Sequence, residues 1–132
     1  MSTEKNKWVD AVAKLIQLTQ EGELKWTIDE PPSSFSKRPN ARVEIVFTAK
    51  YGDKSLRLYE RRFQEEFIDF DEFEMRSVPK VEWRKVVVLE FIDDNGNGLW
   101  AFPSVEALND LMSAVQYQAA GVKDFLTELL AS

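Results

Sequence analysis

The chain predicts an α+β fold: an antiparallel sheet of about four to five strands, with an N-terminal helix and one or two C-terminal helices packed on it. Three observations carry this. Apolar residues recur at helical spacing near both ends of the chain. They alternate with period two through its middle. The strand-like runs there follow one another with no obvious helix between them. Strands grouped in sequence pair through hairpins, which favours an antiparallel sheet over a parallel, doubly wound one.

Each element has its own signal. Over residues 3–21, Trp8, Val12, Leu15, Ile16 and Thr19 share one helical face; Ser2 or Thr3 can cap the start, and Gly22 can take the left-handed stop. Leu24 and Trp26 open an extended piece. Residues 29–40, with three prolines and several serines, read as a loop. Val43, Ile45, Phe47 and Ala49 alternate as a strand with one buried face, Gly52-Asp53 supplies a turn, and residues 55–63 alternate back as its hairpin partner. Residues 80–93 form the longest strand candidate. Its Val86–Leu89 run is apolar on both faces, which places it centrally, and residues 99–102 make a short partner. Ser104 is the expected N-cap of the next helix, with Glu106 in its first turn. Leu108, Leu111, Met112 and Val115 form its buried stripe. Val122, Phe125, Leu126, Leu129 and Leu130 continue that stripe beyond Gly121, which favours two helices over one kinked helix. Trp8, Leu111 and Phe125 are the core expectations. The terminal stripe should be docked, on the sheet of its own chain or on a second copy, because so apolar a helix end is a liability in water.

At 132 residues the chain is expected to be a single globular domain, residues 1–132, and 44% apolar content suffices for a core without staples. The absence of cysteine excludes disulfides, thiolate metal sites and cysteine nucleophiles; the absence of histidine removes the commonest general base and metal ligand. No phosphate-cradling, dinucleotide or hydrolase motif occurs. The expectation is a non-enzymatic protein without cofactor or bound metal. The polar start, MSTEKNKW, has no signal-peptide core, and no apolar run reaches membrane-spanning length, so a cytoplasmic protein with no membrane association is expected. The pairs Lys37-Arg38 and Arg61-Arg62 are too few for a nucleic-acid footprint. Trp26, Trp83 and Trp100 fall on strand candidates and are expected as core or sheet-face residues, or as a binding surface if exposed together.

Two stretches invite a functional reading. In DDNGNGLW, residues 93–100, Asp93, Asn95, Asn97 and Gly98 match the first half of a calcium-binding loop. Ser104 stands where the bidentate carboxylate is required, and the preceding run is strand-like; a hairpin corner explains the stretch better. In QEEFIDFDEFE, residues 64–74, Glu65, Glu66, Asp69, Asp71, Glu72 and Glu74 stand with no base among them, and Phe67, Ile68, Phe70 and Phe73 are threaded through. The chain has 23 acidic and 17 basic residues, so these six acids account formally for its whole net charge of −6. Three readings compete: a solvated loop whose phenylalanines fold back on the core with its carboxylates near Arg57, Arg61, Arg62 and Arg76; a partner-binding edge of aromatic anchors ringed by charge that steers a basic protein; and a carboxylate metal or acid/base site.

The strings GELKW, LRLYERR, VVLEFIDDNGNGLWAFPSVEALNDLMSAVQYQ and VKDFLTELL resemble the small conserved bacterial proteins of unknown function. By size and acidity the chain also looks like type III secretion chaperones, bacterial immunity proteins and some antitoxins. The resemblance implies no activity and carries over no functional residue. The favoured expectation is a small acidic protein-binding module, immunity-, antitoxin- or chaperone-like, with residues Glu65–Phe67 and Asp69–Glu74 as its contact surface, a basic protein as its partner, and a homodimer left open. The alternatives are a small-ligand carrier or enzyme using carboxylates, lysine, Tyr59 or Tyr117, and an acidic mimic of nucleic acid.

Overall fold

The computed structural model describes residues 4–36 and 41–132. The expected caps Ser2 and Thr3 and the pair Lys37-Arg38 lie outside the described residues. The chain runs α1 (Glu4–Gln20), β1 (Thr27–Asp29), a 3₁₀ turn (Ser33–Ser36), β2 (Ala41–Arg42), β3 (Val46–Tyr51), β4 (Lys54–Asp71), β5 (Arg76–Ile92), β6 (Gly98–Ala101), α2 (Ala107–Ala119) and α3 (Val122–Ala131). The fold is α+β with an antiparallel sheet. Its strand order is β1-β3-β4-β5-β6, and β2 joins the β3 edge of β4 further along.

Period-two alternation places Phe47, Ala49, Leu56, Leu58, Val87 and Leu89 on one sheet face, buried beneath Val12 and Leu18 of α1 and Leu108, Leu111, Met112 and Val115 of α2. The expected stripes of α1 and α2 therefore hold; β5 is an interior strand between β4 and β6, while β4 is the middle strand of the sheet. On the opposite face, Val46 and Tyr59 are buried, and Phe35 from the 3₁₀ turn packs its ring 4.9 Å from that of Tyr59. Gly22 and Gly121 both take positive φ, at 78° and 67°, and end α1 and α2 as their sequence positions suggest.

Four expectations change. The helix expected from Ser104 starts at Ala107, with Glu106 as an N-cap that makes no side-chain bond; Val105 is buried, and the helix begins only after that anchor. Trp8 is half-buried. It joins an aromatic cluster over β6, with ring centroids 5.1 Å from Trp100 and 5.0 Å from Phe102. Residues 64–74 are not a loop. β4 continues without a break to Asp71, turns over 72–75, and returns as β5 in register, Gln64 opposite Trp83 and Asp71 opposite Arg76. Phe125 is 60% exposed, and α3 buries none of its residues, so the terminal stripe is not docked on its own sheet. No helix is long and apolar enough to cross a membrane among the described residues.

Candidate functional site

Among the described residues, the pairing of β2 with β4 reaches Phe63. From Gln64 outward, β5 is the sole neighbour of β4 among the described residues, and the two strands continue as a two-stranded arm, residues 64–84. A free two-stranded hairpin is marginal in water. This one is held by its register, by continuity with the packed part of both strands, and by ion pairs: Asp69 to Lys80 at 3.3 Å, Glu65 to Arg84 at 3.1 Å, and Glu74 to Arg76 at 2.5 Å. All of these are exposed, so each contributes about 0–1 kcal/mol. At the tip, one carboxylate oxygen of Asp71 accepts the backbone N–H of Phe73 at 2.9 Å and of Glu74 at 3.3 Å. Met75 then takes φ 52°, a left-handed conformation that side chains with a Cβ adopt at a cost of roughly 1–2 kcal/mol.

Alternation along the arm distributes the nine expected site residues over two faces and a tip. Glu65, Phe67, Asp69 and Asp71 continue the face that Tyr59 occupies nearer the base. Glu66 and Phe70 continue the face that the helices cover there. Glu72, Phe73 and Glu74 form the turn, with Phe73 fully exposed. The phenylalanines do not fold back on the core. Nor do the carboxylates gather around Arg57, Arg61 and Arg62: Arg57 bonds Glu90, Arg62 bonds Glu60, and Arg61 lies over the ring of Phe63. Arg76 does take Glu74, as that reading had it. The return strand interleaves Arg76, Lys80 and Arg84 with the acids. The arm as a whole therefore carries seven acidic and three basic side chains, where residues 64–74 alone carry six acids and no base. No group of three acidic side chains converges to hold a cation among the described residues.

The stretch at Asp93 is a corner. One oxygen of the Asp93 carboxylate accepts the backbone N–H of Asn95 and of Asn97, each at 2.9 Å; its other oxygen accepts the Asn97 side-chain amide at 3.2 Å. These donors hold its pKa below the usual aspartate value, the Asn97 backbone N–H foremost. The oxygens a calcium ion would need are thus committed to the turn. Beneath it, Arg57 donates to the carbonyl oxygen of Gly96 at 2.8 Å.

Half-open depressions mark the described surface, one of them against the sheet and another among the helices. A cleft of about 360 Å³ lies at the base of the arm, between the sheet and the end of α2; Ile28, Ile45, Phe47 and Met112 supply its apolar wall, and Arg42, Glu44, Glu60 and Arg62 its polar rim. A groove of about 710 Å³ runs between the ends of α1 and α2 and the start of α3, with Tyr117 and Gln118 in its lining. Tyr59 is buried on the other face of the sheet, and its phenol is pushed above the usual tyrosine value, first by burial and then by the charge of Glu90. Tyr59 and Tyr117 therefore belong to separate environments and form no common site. The three tryptophans all fall on the helix-side face of the sheet but form no common exposed surface. Trp26 is buried and donates from Nε1 to Thr19 at 3.0 Å, Trp83 stands half-exposed on the arm, and Trp100 belongs to the cluster over β6.

No family model matches this chain, no curated protein matches it, and no solved structure matches it.

Proposed function

We propose that the protein is a non-enzymatic protein-binding module and that the β4–β5 arm is its docking element. The observation that carries this is the fully exposed Phe73 at the end of a projecting hairpin, flanked by Glu72 and Glu74 and backed by Phe67 on the face with Glu65, Asp69 and Asp71. Exposed aromatic side chains on a braced strand pair are suited to anchor in a partner's pockets, and a net-negative arm steers a basic partner. The interleaved Lys80 and Arg84 set this surface apart from an unbroken row of carboxylates, so it fits a nucleic-acid mimic less well than a protein ligand.

The test is capture from an extract of the source cell. Wild type should retain a basic protein in a salt-sensitive manner, and a variant with the six acids of residues 64–74 changed to Ser should not. Equal recovery by both proteins, or no protein partner with either, counts against the reading. A second reading, small-ligand binding, draws on the cleft at the arm's base, where two arginines and two glutamates rim an apolar wall. A small-molecule ligand that protects Met112 and Arg62 from hydrogen exchange, in a protein that captures no partner, would favour it.

A further inference from the structure

Two apolar surfaces have no cover among the described residues. One is the α3 stripe: Phe125, Leu126, Leu129 and Leu130 are exposed, the last to 81%. The other lies on the arm. The register places Ile68 opposite Pro79, Glu66 opposite Val81 and Gln64 opposite Trp83, so Ile68, Phe70, Val81 and Trp83 share the face that the helices cover further in. All four are exposed, Ile68 to 76%. This face runs into the apolar cleft at the arm's base through Arg42, which stacks over Trp83, and through Arg62, which lines the cleft.

We infer that α3 of a second copy of this chain covers the helix-side face of the arm, and that the contact is reciprocal. A helix stripe and a sheet face are the two kinds of surface that pack on each other in α+β layers. In a two-fold pair the arm of each copy receives the helix of the other, so both surfaces close at once and no further copy can add. The area fits. The exposed parts of these eight side chains amount to on the order of 800 Å² per protomer, which is the share each partner contributes to a stable interface. The charges fit as well. Asp124 and Glu128, four residues apart, flank the α3 stripe on one side, while Arg42, Arg62 and Lys85 edge the arm's apolar face at its inner end. The inference goes beyond the partner reading above, which uses the tip and the opposite face of the arm.

The experiment is sedimentation equilibrium on the full chain, with Leu129→Glu and Ile68→Glu as single variants and as an equimolar mixture. Both positions are exposed in the single chain, so circular dichroism and the dilute-solution denaturant midpoint should stay at wild-type values. Wild type should be a dimer. Each variant alone should associate at least about tenfold more weakly, the size expected when a charge is set against an apolar face. The mixture should form a one-to-one pair, because the intact helix of the Ile68→Glu copy meets the intact arm of the Leu129→Glu copy. The inference is overturned by a monomeric wild type, including one whose α3 binds lipid vesicles instead. A dimer that neither substitution weakens also overturns it. So does a dimer that only one of the two substitutions weakens, which would mean helix-on-helix or arm-on-arm contact, and so does a mixture that fails to pair. Loss of the dimer with salt-sensitive partner capture intact would leave the functional proposal standing, and the reverse result would leave the dimer standing.

Discussion

Arg57 and Glu90 form a buried ion pair across the β4–β5 ladder. Nε and Nη2 of Arg57 donate to one oxygen of Glu90 at 2.8 and 2.5 Å, and the arginine side chain is 5% exposed. The guanidinium also stacks 4.9 Å from the Phe35 ring and caps the carbonyl oxygen of Gly96. Gly98 leaves room for the pair, since a Cβ there would come 3.0 Å from the other oxygen of Glu90. One arginine thus ties together the arm-bearing strands, the 3₁₀ turn and the β5–β6 corner. Removing one partner leaves a buried charge unpaired. We expect Arg57→Met and Glu90→Leu each to cost about 3–5 kcal/mol, and the double variant to cost less than either single. Denaturant midpoints of the three variants beside wild type decide this; additive losses would contradict it.

Gln118 is the latch between α2 and the α1–β1 connection. Its Oε1 accepts the backbone N–H of Trp26 at 2.8 Å, and its Nε2 donates to the carbonyl oxygens of Thr19 and Leu24 at 2.9 and 2.8 Å. Gln118→Leu should cost about 2–3 kcal/mol, since three backbone groups lose a partner at a partly buried site. Gln118→Glu keeps the acceptor and removes the donor, and should be intermediate. An unchanged midpoint for Gln118→Leu would show that water replaces the latch.

The two C-terminal stripes should separate in a dilute solution where the chain is monomeric. Leu111 is fully enclosed, and Leu111→Ala should cost about 2–5 kcal/mol. Phe125 is largely exposed, and Phe125→Ala should change the monomer by less than about 0.5 kcal/mol. A loss of several kcal/mol for Phe125→Ala at that dilution would place α3 in the core of its own chain.

Two groups among the described residues make stability depend on pH. The folded chain holds the Tyr59 phenol above its unfolded value of about 10, so the folded state keeps a proton that the unfolded state loses. That contribution is full below pH 10 and disappears as the pH rises through the folded value. Asp93 acts in the opposite sense. Its folded value lies below the unfolded one, so its contribution is present above about pH 4 and disappears as the pH falls further. An ultraviolet titration should show a phenol ionising above the usual tyrosine range, and Tyr59→Phe should abolish that step. The absence of any step above that range would contradict the burial of Tyr59.

The sequence declares what period and turn chemistry encode. The α1 and α2 stripes, the Gly52-Asp53 turn, the corner at Asp93 and the break at Gly121 all follow from residue spacing. The arm was hidden because its residues sit in water on both faces. Alternation marks a strand only when one face is buried, and QEEFIDFDEFE mixes charge and phenylalanine on both. All nine expected site residues lie on the arm, yet their division between two faces and a tip depends on a register set by the packed half of β4 and β5. Gln118 and the Arg57–Glu90 pair left no local signal, because their partners stand 92 and 33 residues away. Phe125 is exposed for a related reason: helical spacing marks an apolar stripe but does not say that the chain's own sheet covers it.

If the arm is a surface that meets another protein, site-specific photocrosslinking in the source cell will capture that contact. A photoreactive phenylalanine analogue at Phe73 should form an adduct with a different protein. The same analogue at Tyr51, which is exposed at the β3–β4 turn and distant in sequence from the tip, should form none. Changing the six acids of residues 64–74 to Ser should abolish the adduct at position 73. Equal labelling at both positions, or no adduct at Phe73 in cells that contain the folded protein, would contradict the account.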